Sequence, residues 1–197
     1  MIERRIALAM KFAILSFLLA AVVSAAEMAP EKLVRSARSQ IGQTVSYDPA
    51  YRKVKYPLGD VPQITGVCSD VIVRALRGQG IDLQSSIHED MKRNFSAYPN
   101  KWGLTKPVPN IDHRRVPNLT TYFQRQGFSR KVTDRGQDFA AGDIVTWDLG
   151  RGITHIGIVS DRRTTKGTPL VIHNIGRGTQ EEDVLFAYQI TGQYRWK

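Results

Sequence analysis

The sequence predicts an α+β protein, with helices over its first two thirds packed on an antiparallel sheet formed by its last third. Two observations carry this expectation. Apolar residues recur at helical spacing as far as Phe123, and beyond residue 140 the spacing changes to the alternation of strands. Those strands follow one another across short polar turns, as neighbours in an antiparallel sheet do.

The N-terminus is read separately. Arg4, Arg5 and Lys11 precede an apolar run from Phe12 to Val23 that only Ser16 interrupts, and Ser24, Ala25 and Ala26 follow. A basic start, a short apolar stretch and a small-residue exit form the pattern of a secretory signal peptide over residues 1–26, cleaved near Ala25 or Ala26. The run falls short of the roughly 20 apolar residues of a membrane span, and an uncleaved anchor is the alternative. No later segment is long and apolar enough to cross a membrane. Residues 27–197 have the length of one compact domain, destined for the periplasm or the outside medium.

A first helix is expected from Pro30, with Leu33, Val34, Ala37 and Ile41 on one face and Gly42 as its stop. Residues 43–65 carry Tyr47, Tyr51 and Tyr56 among Pro and Gly and read as a long loop. A second helix is expected from Thr65 or Gly66, its apolar face made by Val67, Val71, Ile72, Ala75 and Leu76. Ser86 and Glu89 have capping-box spacing and predict a third helix, lined by Ile87, Met91 and Phe95. Pro117 suits the first position of a fourth, with Leu119, Tyr122 and Phe123 facing inward. Strands are expected over 143–147, 154–160, 168–175, 184–190 and 193–196.

The formal net charge is +10. The leader holds only Arg4, Arg5 and Lys11 against Glu3, so most of the excess stays with residues 27–197. Such a balance suits an acidic partner. Export argues against nucleic acid and leaves an anionic cell-envelope polymer or lipid.

The chain has a single cysteine, Cys68. Exported proteins use cysteines mostly in pairs, so a lone one is a buried apolar residue, an intermolecular crosslink or a reactive thiol. With Thr65 as cap, Cys68 is the third residue of its helix, where free N–H groups and the helix dipole favour a thiolate. Facing inward beside Val71 and Ile72 is the competing placement. A thiol nucleophile needs a base and a group that orients the base. If the hairpin between the second and third strands is symmetric about residue 164, His155 and His173 face each other on one side of the sheet. One ring then takes the thiol proton and the other holds its far nitrogen; a one-residue slip would separate them. Neither HxxxH nor paired cysteines occur, so no metal is expected, and no cofactor.

Two sets of residues carry a family resemblance. Ala141-Gly142-Asp143-Ile144-Val145-Thr146-Trp147, Thr154-His155-Ile156-Gly157-Ile158-Val159 and Val171-Ile172-His173 resemble the NlpC-type papain-like cysteine peptidases over about 110 residues, Thr65 to Ile175. Gly66-Val67-Cys68-Ser69-Asp70-Val71-Ile72, His88-Glu89-Asp90-Met91, Asn110 through Leu119 and His173-Asn174-Ile175-Gly176 are similar to domain-of-unknown-function family 1287, placed in the same superfamily. The resemblance implies a papain-like α+β fold, a catalytic set of Cys68, His155 and His173, and peptidoglycan stem peptides as substrate. The common peptidase motif reads Asp-Cys-Ser-Gly, so Asp70 stands where a glycine is usual, and the substrate is where this chain is expected to differ. Tyr47 matches an upstream tyrosine of the superfamily. Asp70, Asp112, His113, Arg114 and Arg115 join it as expected substrate contacts, the two arginines by bidentate grip on a carboxylate; pairing of those arginines within the fold is the alternative. Hydrolysis of an amide is the expected reaction. Acyl transfer on the same fold, and a non-catalytic basic wall-binding protein, are the rival readings.

Overall fold

The computed structural model describes residues 29–196; the leader assigned to residues 1–26 lies outside them. Helix α1 (Pro30–Arg38) buries Leu33, Val34 and Ala37 against α2 (Cys68–Arg77), the central helix, whose Ile72, Ala75 and Leu76 are fully buried. Helix α3 (Leu83–Asn94) starts three residues before Ser86, because Asp82 accepts the Gln84 N–H and serves as its cap. Helix α4 (Val116–Arg125) buries Leu119 and Phe123 completely, with Pro117 in its first turn as expected. Among the described residues, no helix is long and apolar enough to cross a membrane.

Two short strands, β1 (Ser46–Tyr47) and β2 (Thr65–Gly66), pair in parallel inside the segment expected to be loop. The remaining strands are β3 (Ser129–Arg130), β4 (Ile144–Asp148), β5 (Thr154–Arg163), β6 (Pro169–Asn174), β7 (Thr179–Glu182) and β8 (Gln189–Tyr194). They form one sheet in the order β3-β8-β4-β5-β6-β7, antiparallel at every junction. The α+β class therefore holds. The two C-terminal strands differ from expectation: residues 189–194 form one strand, and β7 lies in a polar stretch that carries no apolar alternation.

The sheet separates two cores. Ile144, Ile156, Ile158 and Ile172 pack with α1, α2 and α4 on one side. Val145, Trp147, Val159 and Val171 pack with Phe139 and Leu185 on the other. Strand alternation thus sends Ile156 toward the helices and places His155, Gly157 and Val159 on the opposite side.

The β5–β6 register corrects the symmetric hairpin. Strand β5 runs on to Arg163, the turn is closed by the Thr164 N–H on the Thr168 carbonyl, and an irregularity between Val159 and Arg163 shifts the ladder. Ile158 pairs with Ile172 and Val159 with Val171. Continued one step, this register sets His173 opposite Gly157, with His155 two residues along. A displacement of two keeps both rings on one face because the side-chain period is two.

Gly157 is what allows the diagonal approach. A Cβ there would meet Val171 Cγ1 at 2.6 Å and His173 Cβ at 3.2 Å. Gly157→Ala is expected to cost about 1–3 kcal/mol through overpacking and to push His173 away from His155. Thermal denaturation with and without the substitution checks it; an unchanged midpoint contradicts it.

Candidate active site

The start of α2 is built from its neighbours inward. Val67 is the extended residue before the helix, so Cys68 is the first helical residue, not the third. Asp70 Oδ2 accepts the Val67 N–H at 2.7 Å, and the same carboxylate receives Arg114 Nε and Nη2, both at 2.9 Å. Ser69 Oγ donates to the Arg114 carbonyl at 2.8 Å. The turn Asp112–Arg114 is thereby pinned to the start of α2. On the other side, Asn174 Nδ2 donates to the carbonyls of Gly66 (3.0 Å) and Ser46 (3.3 Å), joining the end of β6 to β1 and β2. The β5–β6 ladder stops at Ile158 and Ile172, and α2 packs against both strands.

Cys68 is 4% exposed. Its sulfur faces the backbone N–H groups of Ile156 and Ser69 and the Tyr47 hydroxyl. These donors favour a thiolate, but burial outweighs them and pushes the thiol up to about 11. The expectation of a lowered cysteine pKa is therefore overturned: removal from water costs the anion more than the helix start returns. Tyr47, also raised by burial to about 12, stays a hydroxyl donor. Labelling of the resting protein by iodoacetamide is expected to be slower at neutral pH than that of a free thiol. It should climb as pH rises through about 9 toward 11, because only the thiolate reacts. A rate already at its plateau at neutral pH would contradict this.

His155 is 3% exposed and packs beside Trp147, ring centroids 5.7 Å apart. Its Nε2 lies 2.9 Å from His173 Nδ1. His173 Nε2 lies 3.1 Å from Glu182 Oε2, and Arg177 pairs with the other oxygen of Glu182. Burial, then the neighbouring His173, lowers His155 to about 3; burial also lowers His173 against the pull of Glu182. Both rings are neutral near neutral pH. Among the described residues, His155 Nδ1 makes no hydrogen bond, and none joins it to the thiol. The sulfur faces the N–H of Ile156, the residue after His155 on β5.

Cys68 opens into a cleft of about 380 Å³ whose walls include Tyr47, Lys101, Trp102, Arg115 and Thr154. The Arg115 guanidinium lies 4.0 Å over the Trp102 ring and 3.3 Å from Asp112 Oδ1. Trp102 and Arg115 also wall a second cavity of about 300 Å³, lined by Met91, Phe95, Tyr98 and Leu104.

The expected substrate contacts divide accordingly. Tyr47 and Arg115 face the cleft. Arg114 touches it but is 4% exposed at its side chain and engaged by Asp70 with both arms of its fork, so no free grip remains for a carboxylate. Asp70 is correspondingly part of the α2 start and faces no substrate space. Asp112 is buried, receives the Val108 N–H and Arg115, and is held above the usual carboxylate range by that burial. His113 is 2% exposed, outside the cleft, and lowered by burial to about 4. Sequence reasoning missed Glu182, Asn174, Lys101 and Trp102. Of these only Asn174 carried a signal, as part of the His173–Gly176 string.

Fold and site together define an α+β protein in which a helix-start cysteine lies against the strand that carries one member of a buried histidine pair. The chain belongs to the family described as domain of unknown function (DUF1287), which matches residues 34–196. It is 59% identical over 160 residues to the protein described as uncharacterized protein YijF of Escherichia coli (strain K12), covering 81% of this chain and 78% of that one. Among solved structures it is similar to NlpC1 from Trichomonas vaginalis, with a TM-score of 0.46 and 13% identity. That match covers 85% of this chain but spans only 44% of the NlpC1 chain.

Proposed function

We propose that this chain is an exported cysteine peptidase or amidase that hydrolyses an amide bond in peptidoglycan stem peptides. The observation that carries the reading is the placement of the only cysteine on a cleft wall, against the strand whose His155 is held by His173. The cationic Lys101 and Arg115 on that cleft suit a substrate bearing carboxylates.

With both partners neutral at rest, the sulfur attacks the amide carbonyl carbon while its proton passes to His155 Nδ1. Contacts of this kind are often loose until substrate is bound. The oxyanion is received by the Cys68 N–H, which donates to no protein acceptor among the described residues, and by the Tyr47 hydroxyl. Collapse expels the amine, which takes the proton back from His155 and leaves a thioester on Cys68. Water then attacks the thioester carbonyl, His155 takes a proton from it, and the acid departs as the sulfur regains its hydrogen. If an amine replaces water, the same thioester gives acyl transfer, and product mass with added amine separates the two.

The depth of Cys68 favours a second reading, a basic wall-binding protein without catalysis. Stem peptides incubated with wild-type protein and with Cys68→Ala, followed by mass spectrometry, decide between them. Amide-cleaved products from the wild type alone support the hydrolase. No products from either, with salt-sensitive binding to the wall polymer, support the binding protein. Equal products from both overturn Cys68 as the nucleophile.

A further inference from the structure

We propose that Glu182 is a positioning residue: through His173 it sets the tautomer of His155 and so decides which nitrogen is left as the base. The inference rests on the hydrolase reading above, but its test does not. Glu182 stands two residues along β7 from Gln180, the cross-strand partner of His173. It therefore lies on the same face as the histidine pair, at the diagonal position.

An ionised carboxylate only accepts hydrogen bonds, and Arg177 holds Glu182 from its other oxygen. The 3.1 Å contact with Glu182 Oε2 therefore requires the proton on His173 Nε2. A neutral imidazole has one N–H, so His173 Nδ1 is a bare lone pair. That lone pair lies 2.9 Å from His155 Nε2, which must then carry the proton of His155. His155 Nδ1 is left bare. One carboxylate thus fixes the state of a nitrogen two rings away, and that nitrogen makes no hydrogen bond among the described residues.

The opposite arrangement shows what Glu182 prevents. If His173 carried its single proton on Nδ1, its bare Nε2 would face the carboxylate, Nδ1 would donate to His155 Nε2, and a neutral His155 would carry its proton on Nδ1, where it takes none from a thiol. A doubly protonated His173 would have the same effect; burial, the larger influence, disfavours it against the pull of Glu182. When His155 accepts the thiol proton, the new charge is faced by His173 Nδ1 and, beyond it, by Glu182. The carboxylate acts one ring further out than the acid of a Ser-His-Asp set does.

The experiment is long-range proton–nitrogen correlation NMR of the ring nitrogens in ¹⁵N-histidine protein at neutral pH. The wild type is expected to show both His155 and His173 protonated on Nε2 with bare Nδ1. Glutamine's amide donates as well as accepts, so Glu182→Gln is expected to add a population of His155 protonated on Nδ1. Hydrolysis by that variant should fall about tenfold or more, within the range a general base supplies. A purely structural Glu182 would shift the melting midpoint and leave the tautomers alone. Wild-type His155 carrying its proton on Nδ1, or a Glu182→Gln spectrum identical to wild type, overturns the proposal. The expected tautomers in a wild type that cleaves no amide would instead overturn the hydrolase reading and leave the role of Glu182 standing.

Discussion

His155→Ala is expected to lower hydrolysis by about 10²- to 10⁴-fold, the contribution typical of a positioned base. The loss should be large here because the thiol does not ionise by itself. Burial holds Cys68 near 11, so almost none is thiolate at neutral pH, and attack needs the proton removed as the carbon–sulfur bond forms. An enzyme with a preformed thiolate would behave differently, its labelling already fast at neutral pH. The pH dependence carries the sign. Activity of the variant should rise toward alkaline pH as the thiol ionises unaided, whereas the wild type needs no such help. Initial rates of both proteins across neutral to alkaline pH check this. A His155→Ala protein as active as wild type at neutral pH would remove His155 from the mechanism.

The second large effect falls on stability. Arg114→Ala leaves Asp70, 3% exposed, without the two 2.9 Å bonds that face it. Breaking a buried pair by removing one partner costs about 3–5 kcal/mol, since the remaining charge stays out of water. For a chain of this size that is a fall of roughly 6–20 °C in melting midpoint. The same carboxylate caps the helix that begins with Cys68, so activity should fall with stability. The double variant Asp70→Asn/Arg114→Met removes both charges while keeping an acceptor for the Val67 N–H, and is expected to recover part of the loss. A single variant within about 1 kcal/mol of wild type would contradict the account of this pair.

What was legible in the sequence followed from periodicity. The change from helical to strand spacing located the sheet, and the alternation of β5 and β6 put His155 and His173 on one face. That placement survived an error in the register: the turn lies beyond Arg163 and the ladder is irregular, yet the displacement of two residues kept the parity. The start of α2 was misplaced because Thr65 is a better cap residue than Val67, and the cap actually comes from Asp70 within the helix. Glu182 was invisible because β7 is a four-residue polar strand at the sheet edge, with no apolar alternation to reveal it. Arg114 and Asp70 read as substrate contacts, with pairing inside the fold as the alternative for the arginine, but nothing in local spacing shows that two residues 44 positions apart meet as a buried pair. The thiol's environment escaped for a related reason: a helix start is a local feature, while burial depends on what packs over it.

In the proposed reaction Cys68 carries the acyl group between the two halves. The direct measurement is the intact mass of wild-type protein quenched in acid during turnover of a stem peptide, followed by proteolytic mapping and hydroxylamine treatment. The account predicts added mass equal to the acyl fragment, on the peptide that contains Cys68, removed by hydroxylamine as a thioester is. Turnover accompanied by an adduct on another residue, or by none at early times under excess substrate, would contradict it.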